Sequence, residues 1–268
     1  MVKTAPWNAR FDPAGYCIYC GVTDVALTDE HIIPFSLGGQ MILPESSCGN
    51  CANIIKKFEQ ECARKMFGSL RIRQGLPTRR KKERPTHLPL YRTGEDGELT
   101  PALDVPVDDY PSHLMLMKFS TPGIIKGLPD DGHHTVTGEA WYSTHKHDVE
   151  EKYGPGLRYK MSFNPLIFSQ LLAKIAHSFA VASLQGERGN FTPLLPDFIL
   201  GKHSRQGYLI GGSTDALEPD ETRNLHQLEG RAVCDGKYLA ISIHLFAPLG
   251  APVYYAIAGK IHDELTRD

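Results

Sequence analysis

"DEHIIPFSLGG", Asp29–Gly39, sets two carboxylates before a histidine, then two isoleucines, a proline and a glycine pair. Taken alone, an acid beside an imidazole decides nothing, because a lone loop histidine is usually solvated or structural. The cysteines on either side decide it. Cys17-Ile-Tyr-Cys20 precedes the stretch and Cys48-Gly-Asn-Cys51 follows it, with 27 residues between the pairs. Two C-x-x-C knuckles on opposing turns can give four thiolates to one tetrahedral ion, and a closed site of soft sulfur ligands selects zinc. Such a site staples a fold and by itself says nothing of catalysis.

The totals bound the rest. The chain has 268 residues, 41% hydrophobic and 22% charged, which is ordinary for a globular protein with a sizeable core. Six cysteines are too few for a disulfide scaffold of this length, and four of them are already in the knuckles. Residues 1–90 carry 13 Lys and Arg against 8 Asp and Glu, whereas the whole chain is at −2. A basic front and an acidic back direct any polyanion partner to the front. "MVKTAPWNAR" has no apolar core, so no secretory signal is read and a cytoplasmic location is expected. The apolar run Phe246–Gly259 is short and broken by Pro248 and Pro252, so no membrane span is expected.

The ordered set "CIYC", "EHIIP", "SLGG" and "CGNC" resembles the HNH endonuclease family over about residues 10–70. The resemblance implies a ββα-metal module, in which zinc staples a β-hairpin to a helix. It implies hydrolysis of nucleic-acid phosphodiester bonds, most simply in double-stranded DNA, with a catalytic Mg²⁺ or Mn²⁺. Carried over, His31 is the general base that activates water and Glu30 a ligand of the catalytic ion. Ile32 and Ile33 anchor the hairpin, while Pro34, Gly38 and Gly39 shape its loop. The chemistry suits these residue types. Imidazole titrates near neutrality, and a divalent ion held by hard oxygens stabilises the charge that builds on the phosphate. Neighbours on a strand point to opposite faces, so Glu30 and His31 share one phosphate only if the strand is twisted.

The pattern departs from the family on the far side of the site. "QMILPESSC" has no asparagine after the glycine pair, and Ala52 stands where the family has Asn or His after the last cysteine. Asn53, one residue and about 100° further round a helix, is taken as the second metal ligand, with Asn50 the other candidate. If neither reaches, the ion is left to Glu30, Asp29 and water. The alternative reading is a zinc-stabilised DNA-binding module without catalysis.

Outside the module, Ile54, Ile55, Phe58, Cys62 and Met66 recur at helical spacing. Arg71–Pro85 holds seven basic residues, one acid, a glycine and two prolines and reads as a loosely ordered arm. Its Arg71, Arg73, Arg79, Arg80, Lys81, Lys82 and Arg84 are candidates for neutralising phosphates. "RTGEDGELTP", Arg92–Pro101, reads as the boundary of a C-terminal domain, which divides the chain into 1–70, 71–98 and 99–268. The fold class expected is α+β, with an antiparallel sheet packed on one buried helix. Strands are expected at His113–Phe119 and His134–Ser143. Asn164 and Pro165 should open the buried helix, and Asp235-Gly236 should turn a hairpin. Leu239, Ile241, Ile243 and Leu245 alternate, and Val253, Tyr255 and Ile257 are expected to repeat them. His133-His134 and His145–Asp148 would make a second metal site only if loop histidines there converge. His177 reads as a core histidine, and Cys62 and Cys234 as buried apolar residues. Oligomeric state is left open.

Overall fold

The computed structural model describes residues 6–110, 113–130, 136–142, 146–160, 162–185, 190–204, 206–213, 218 and 220–262. It is a mixed α/β fold in which every described strand ladder is antiparallel.

Strands β1 (Leu27–His31) and β2 (Ile42–Cys48) form the first hairpin, and helix α1 (Gly49–Glu61) follows directly. The expected ββα unit is therefore present. Between the strands, Gly38 has φ +90° and ends a short 3₁₀ turn. A Cβ on Gly39 would come within 1.9 Å of the Ile33 carbonyl oxygen, so only glycine lets the loop close on itself. Helix α1 leads through a π turn at Cys62–Met66 into the short helix α2 (Gly68–Arg73).

The basic segment is packed rather than loose. Arg71 is partly buried and donates to the carbonyl oxygens of Ser36, Ala63 at 3.0 Å and Pro77 at 3.4 Å. Arg84 donates to the Leu76 carbonyl. These contacts fold the segment back on the module.

"RTGEDGELTP" is the tip of a second hairpin, β3 (His87–Thr93) with β4 (Leu99–Pro106), closed by Gly94 N–H donating to Glu98 O at 2.8 Å. The turn chemistry was legible; its use as a hairpin tip was not. β5 (His113–Phe119) pairs with β6 (Val136–Tyr142). Helix α3 (Lys146–Tyr153) then packs Val149 into a small cluster with Leu88, Leu90 and Val105.

Helix α4 (Pro165–Ser183) starts as expected, with the Asn164 side chain accepting from Ile167 N–H and Pro165 in the first turn. Its length and hydropathy would suit a membrane span, yet 78% of that window is buried inside the protein. The reason is its position. It lies against α1 on one side and against the C-terminal sheet on the other. That sheet adds β7 (Phe191–Pro193) and then, after helices α5 (Pro196–Ile199) and α6 (Gln206–Leu209), β8 (Ile210–Gly212), β9 (His226–Val233), β10 (Tyr238–Leu245) and β11 (Tyr254–Ile261). The strand order is β7-β11-β10-β9, with β8 also paired to β11. Cys234, Asp235 and Gly236 all take positive φ in the β9–β10 turn, which leaves Cys234 half-buried rather than in the core. In β11 the residues with 0% exposure are Tyr254, Ala256, Ile257 and Ala258, so of the expected set Ile257 is in the core while Val253 and Tyr255 are half-buried. A bulge opposite Leu239 and Ala240 shifts the register.

Side chains of the module from Ala14 to Leu76 and of the C-terminal part from Phe119 to Ala258 belong to one continuous buried cluster. The core therefore does not stop where the basic segment begins.

Candidate hydrolytic site

The four cysteine sulfurs lie within 4.8 Å of one another. Cys20 Sγ and Cys48 Sγ are 3.7 Å apart, far from the ~2.05 Å of a disulfide and close to the ~3.8 Å edge of a tetrahedron with Zn–S near 2.3 Å. The donor set fits a structural zinc. Between the first two ligands, Ile18 and Tyr19 point into the core. His177 on α4 anchors the knuckle, its Nε2–H donating to the Ile18 carbonyl at 2.7 Å. Burial lowers its pKa to about 4, so it is a neutral core histidine, as expected.

β1 carries a bulge between Thr28 and Glu30. This is the twist the shared site requires, because a bulge re-aims neighbouring side chains. Glu30 is buried and His31 half-buried, and both border one cleft of about 470 Å³. Phe35 meets the His31 ring edge-on at 5.6 Å between centroids. Burial lowers the pKa of His31, and the charges of Lys174 and Arg79 add to the effect. The imidazole is thereby biased to its neutral, proton-accepting form.

The opposite wall is α1. Ala52, Ile55, Lys56 and Glu59 face the cleft, the spacing of one helical face, and Ala63 of the following π turn continues it. Asn53 is exposed and does not border the cleft, and neither does Asn50. The one-residue offset turns Asn53 away from the cleft, and the carboxylate on this face is Glu59, two turns after Ala52.

Three acids thus meet the cleft. Asp29 is exposed and paired with Arg10 at 2.8 Å. Glu30 is held at both oxygens, by Lys174 Nζ at 2.7 Å and by the Tyr19 hydroxyl donating at 3.1 Å. Burial pushes the Glu30 carboxyl up and Lys174 opposes that rise. Glu59 Oε1 is buried and ion-paired with the same ammonium at 3.0 Å. Two carboxylates at one cleft, Glu30 and Glu59, are the hard oxygen donors a divalent ion takes.

Of the basic residues, Arg71, Arg79 and Arg80 line this cleft. An adjoining groove shares Arg64, Arg71 and Arg80 with it and adds Arg84. Arg71 is spent on backbone carbonyls. Arg73 pairs with Asp108 at 2.9 Å and borders neither cavity. Lys81 and Lys82 are exposed in a 3₁₀ turn outside both. Arg79, Arg80 and Arg84 border these cavities with Arg64 and Lys56, although Arg80 also pairs with Glu83 at 3.1 Å and Arg84 is held by the Leu76 carbonyl. His133, His134 and His145 lie outside the described residues, as do the side chains of His147 and Asp148. Among the described residues the four-cysteine cluster is the metal-ligating group found.

A family model described as HNH endonuclease matches residues 17–68. The match spans both knuckles, the β1–β2 hairpin and α1, and that region is an HNH module. No curated protein and no solved structure matches the chain.

Proposed function

We propose that this chain is a metal-dependent endonuclease, with His31 as the general base and DNA phosphodiesters as the substrate. The observation that carries the reading is the cleft itself. A half-buried imidazole with a depressed pKa shares it with Glu30, Glu59, Arg79 and Arg80. His31 accepts the proton of the attacking water, a role that typically contributes ~10²–10⁴-fold. Arg79 and Arg80 draw the phosphate backbone to the cleft and leave sequence unread. Glu30 and Glu59 would hold Mg²⁺ or Mn²⁺, which when bound neutralises a nonbridging oxygen and stabilises the leaving oxygen. Zinc at the cysteines fixes the hairpin against α1 and takes no part in the chemistry.

Ala52 at the ligand position and the full engagement of Glu30 favour a second reading, a zinc-stabilised DNA-binding module without catalysis. Plasmid nicking with Mg²⁺ or Mn²⁺ separates the two. Nicking by wild type and its loss in His31→Ala is the expected result. Equal nicking by both removes His31 as base, and DNA binding with no nicking by either favours the second reading.

A further inference from the structure

Among the described residues, Lys174 is the only buried lysine or arginine. It sits on α4, 143 residues from His31 in sequence and outside the region the family match covers. Its ammonium contacts Glu30 Oε1 at 2.7 Å and Glu59 Oε1 at 3.0 Å. It also donates to the carbonyl oxygens of His31 and, at 3.2 Å, of Ile32. Tyr19, between the two ligands of the first knuckle, closes the far side of Glu30. Three segments therefore meet at one charge, β1, α1 and α4, and the knuckle reaches it through Glu30.

A packed core does not call for this. Removing an ammonium from water is costly, and an apolar side chain of equal length would fill the same space without that cost. What methionine cannot do is align two carboxylates and two carbonyls. Lys174 borders no part of the cleft; it stands behind the wall that does. Two carboxylates against one ammonium leave a net negative charge at that wall, as a divalent ion requires. The carbonyl contacts fix the peptides on both sides of Ile32, and with them the strand that presents His31. Supporting groups of this kind hold reacting groups in place to within about half an ångström.

We propose that Lys174 is a positioning residue of the hydrolytic site, so that the HNH module is completed by a helix from outside residues 17–68. The role rests on the nuclease reading above. Burial works against the charged form of Lys174, but the two carboxylates outweigh it and its pKa is raised, so the ammonium persists at neutral pH.

The test uses the full chain. Lys174→Met keeps the length and removes the charge, and Lys174→Arg keeps the charge. In Lys174→Met with one zinc per chain and cooperative unfolding, kcat should fall at least 100-fold with KM for DNA within threefold. Lys174→Arg should recover at least tenfold of that loss. Wild-type kcat in zinc-replete Lys174→Met overturns the role while leaving the nuclease reading intact. Wild-type protein that nicks no DNA overturns both. If Lys174→Met does not fold, the wild-type protein decides. With ¹⁵N-labelled lysine, one exchange-protected ammonium signal should be bleached by one equivalent of Mn²⁺. A protected signal that Mn²⁺ leaves unchanged overturns the proposal.

Discussion

Asn53 and Glu59 differ by less than two helical turns, and that difference decides which of them can meet the cleft. Asn53→Ala should leave cleavage within threefold of wild type, because its side chain is exposed on another face. Glu59→Gln removes a carboxylate charge beside Glu30 and should lower kcat at least 100-fold; steady-state kinetics on a plasmid substrate compares the two. Equal effects would return Asn53 to the site. The histidines carry a separate prediction. His177 is buried and His226 half-buried; they donate to the carbonyls of Ile18 and Leu37, and their pKa values are lowered to about 4. Between pH ~6.5 and 4 the unfolded chain binds protons that the native chain refuses, so stability must fall as pH drops through that window. Each histidine contributes roughly 3 kcal/mol over the whole range. Urea unfolding at pH 7 and pH 5 checks it; a midpoint unchanged between them would contradict the neutral assignment.

At the scale of elements, the basic segment divides into residues that hold shape and residues that face the cleft. Arg71 gives three hydrogen bonds to carbonyls in three segments. Arg71→Ala should therefore lose about 1–3 kcal/mol of stability through unpaired acceptors, read as a lower denaturation midpoint. Arg79→Ala with Arg80→Ala should leave stability nearly unchanged and reduce the slope of log K against log salt by about 2 on duplex DNA. An unchanged slope would show that these two arginines do not reach phosphates. The knuckles act at the same scale. They join β1–β2 to the start of α1, and zinc binding free energy is folding free energy for such small modules. Chelation should loosen the hairpin first and abolish cleavage even with Mg²⁺ in excess, followed by circular dichroism and nicking on one sample.

At the scale of the molecule, α4 is the shared wall of the module and the C-terminal sheet. A fragment ending at residue 98 would expose the faces of Ile32, Ile55 and Phe58 that belong to the continuous core, and would lack Lys174. It should bind zinc but unfold without cooperativity and cleave no DNA. A fragment with a sharp thermal transition and full activity would show that the core is divisible. Phe168, with 0% exposure and ring contacts to Phe67, Phe119, Phe163 and Tyr254, ties the two parts together. Phe168→Ala should cost about 3–5 kcal/mol.

The four-cysteine cluster, the hairpin, α1 and the start of α4 were all legible in the chain. Each is set by contacts or spacings within a short span: paired cysteines, a glycine that alone fits its loop, a capping asparagine, an apolar periodicity. Glu59 was within reach of the same reasoning, since it lies on the face of Ala52 two turns later. Lys174 left one trace, a single charge in an apolar helix, with nothing to say what it would meet. Its partners lie more than a hundred residues away, and so do the carbonyls that His177 and His226 hold. Local sequence determines which groups exist and how their own segment bends. Which charge is neutralised, which arginine is spent on backbone and where the core ends depend on long-range packing, and only the tertiary structure decided them.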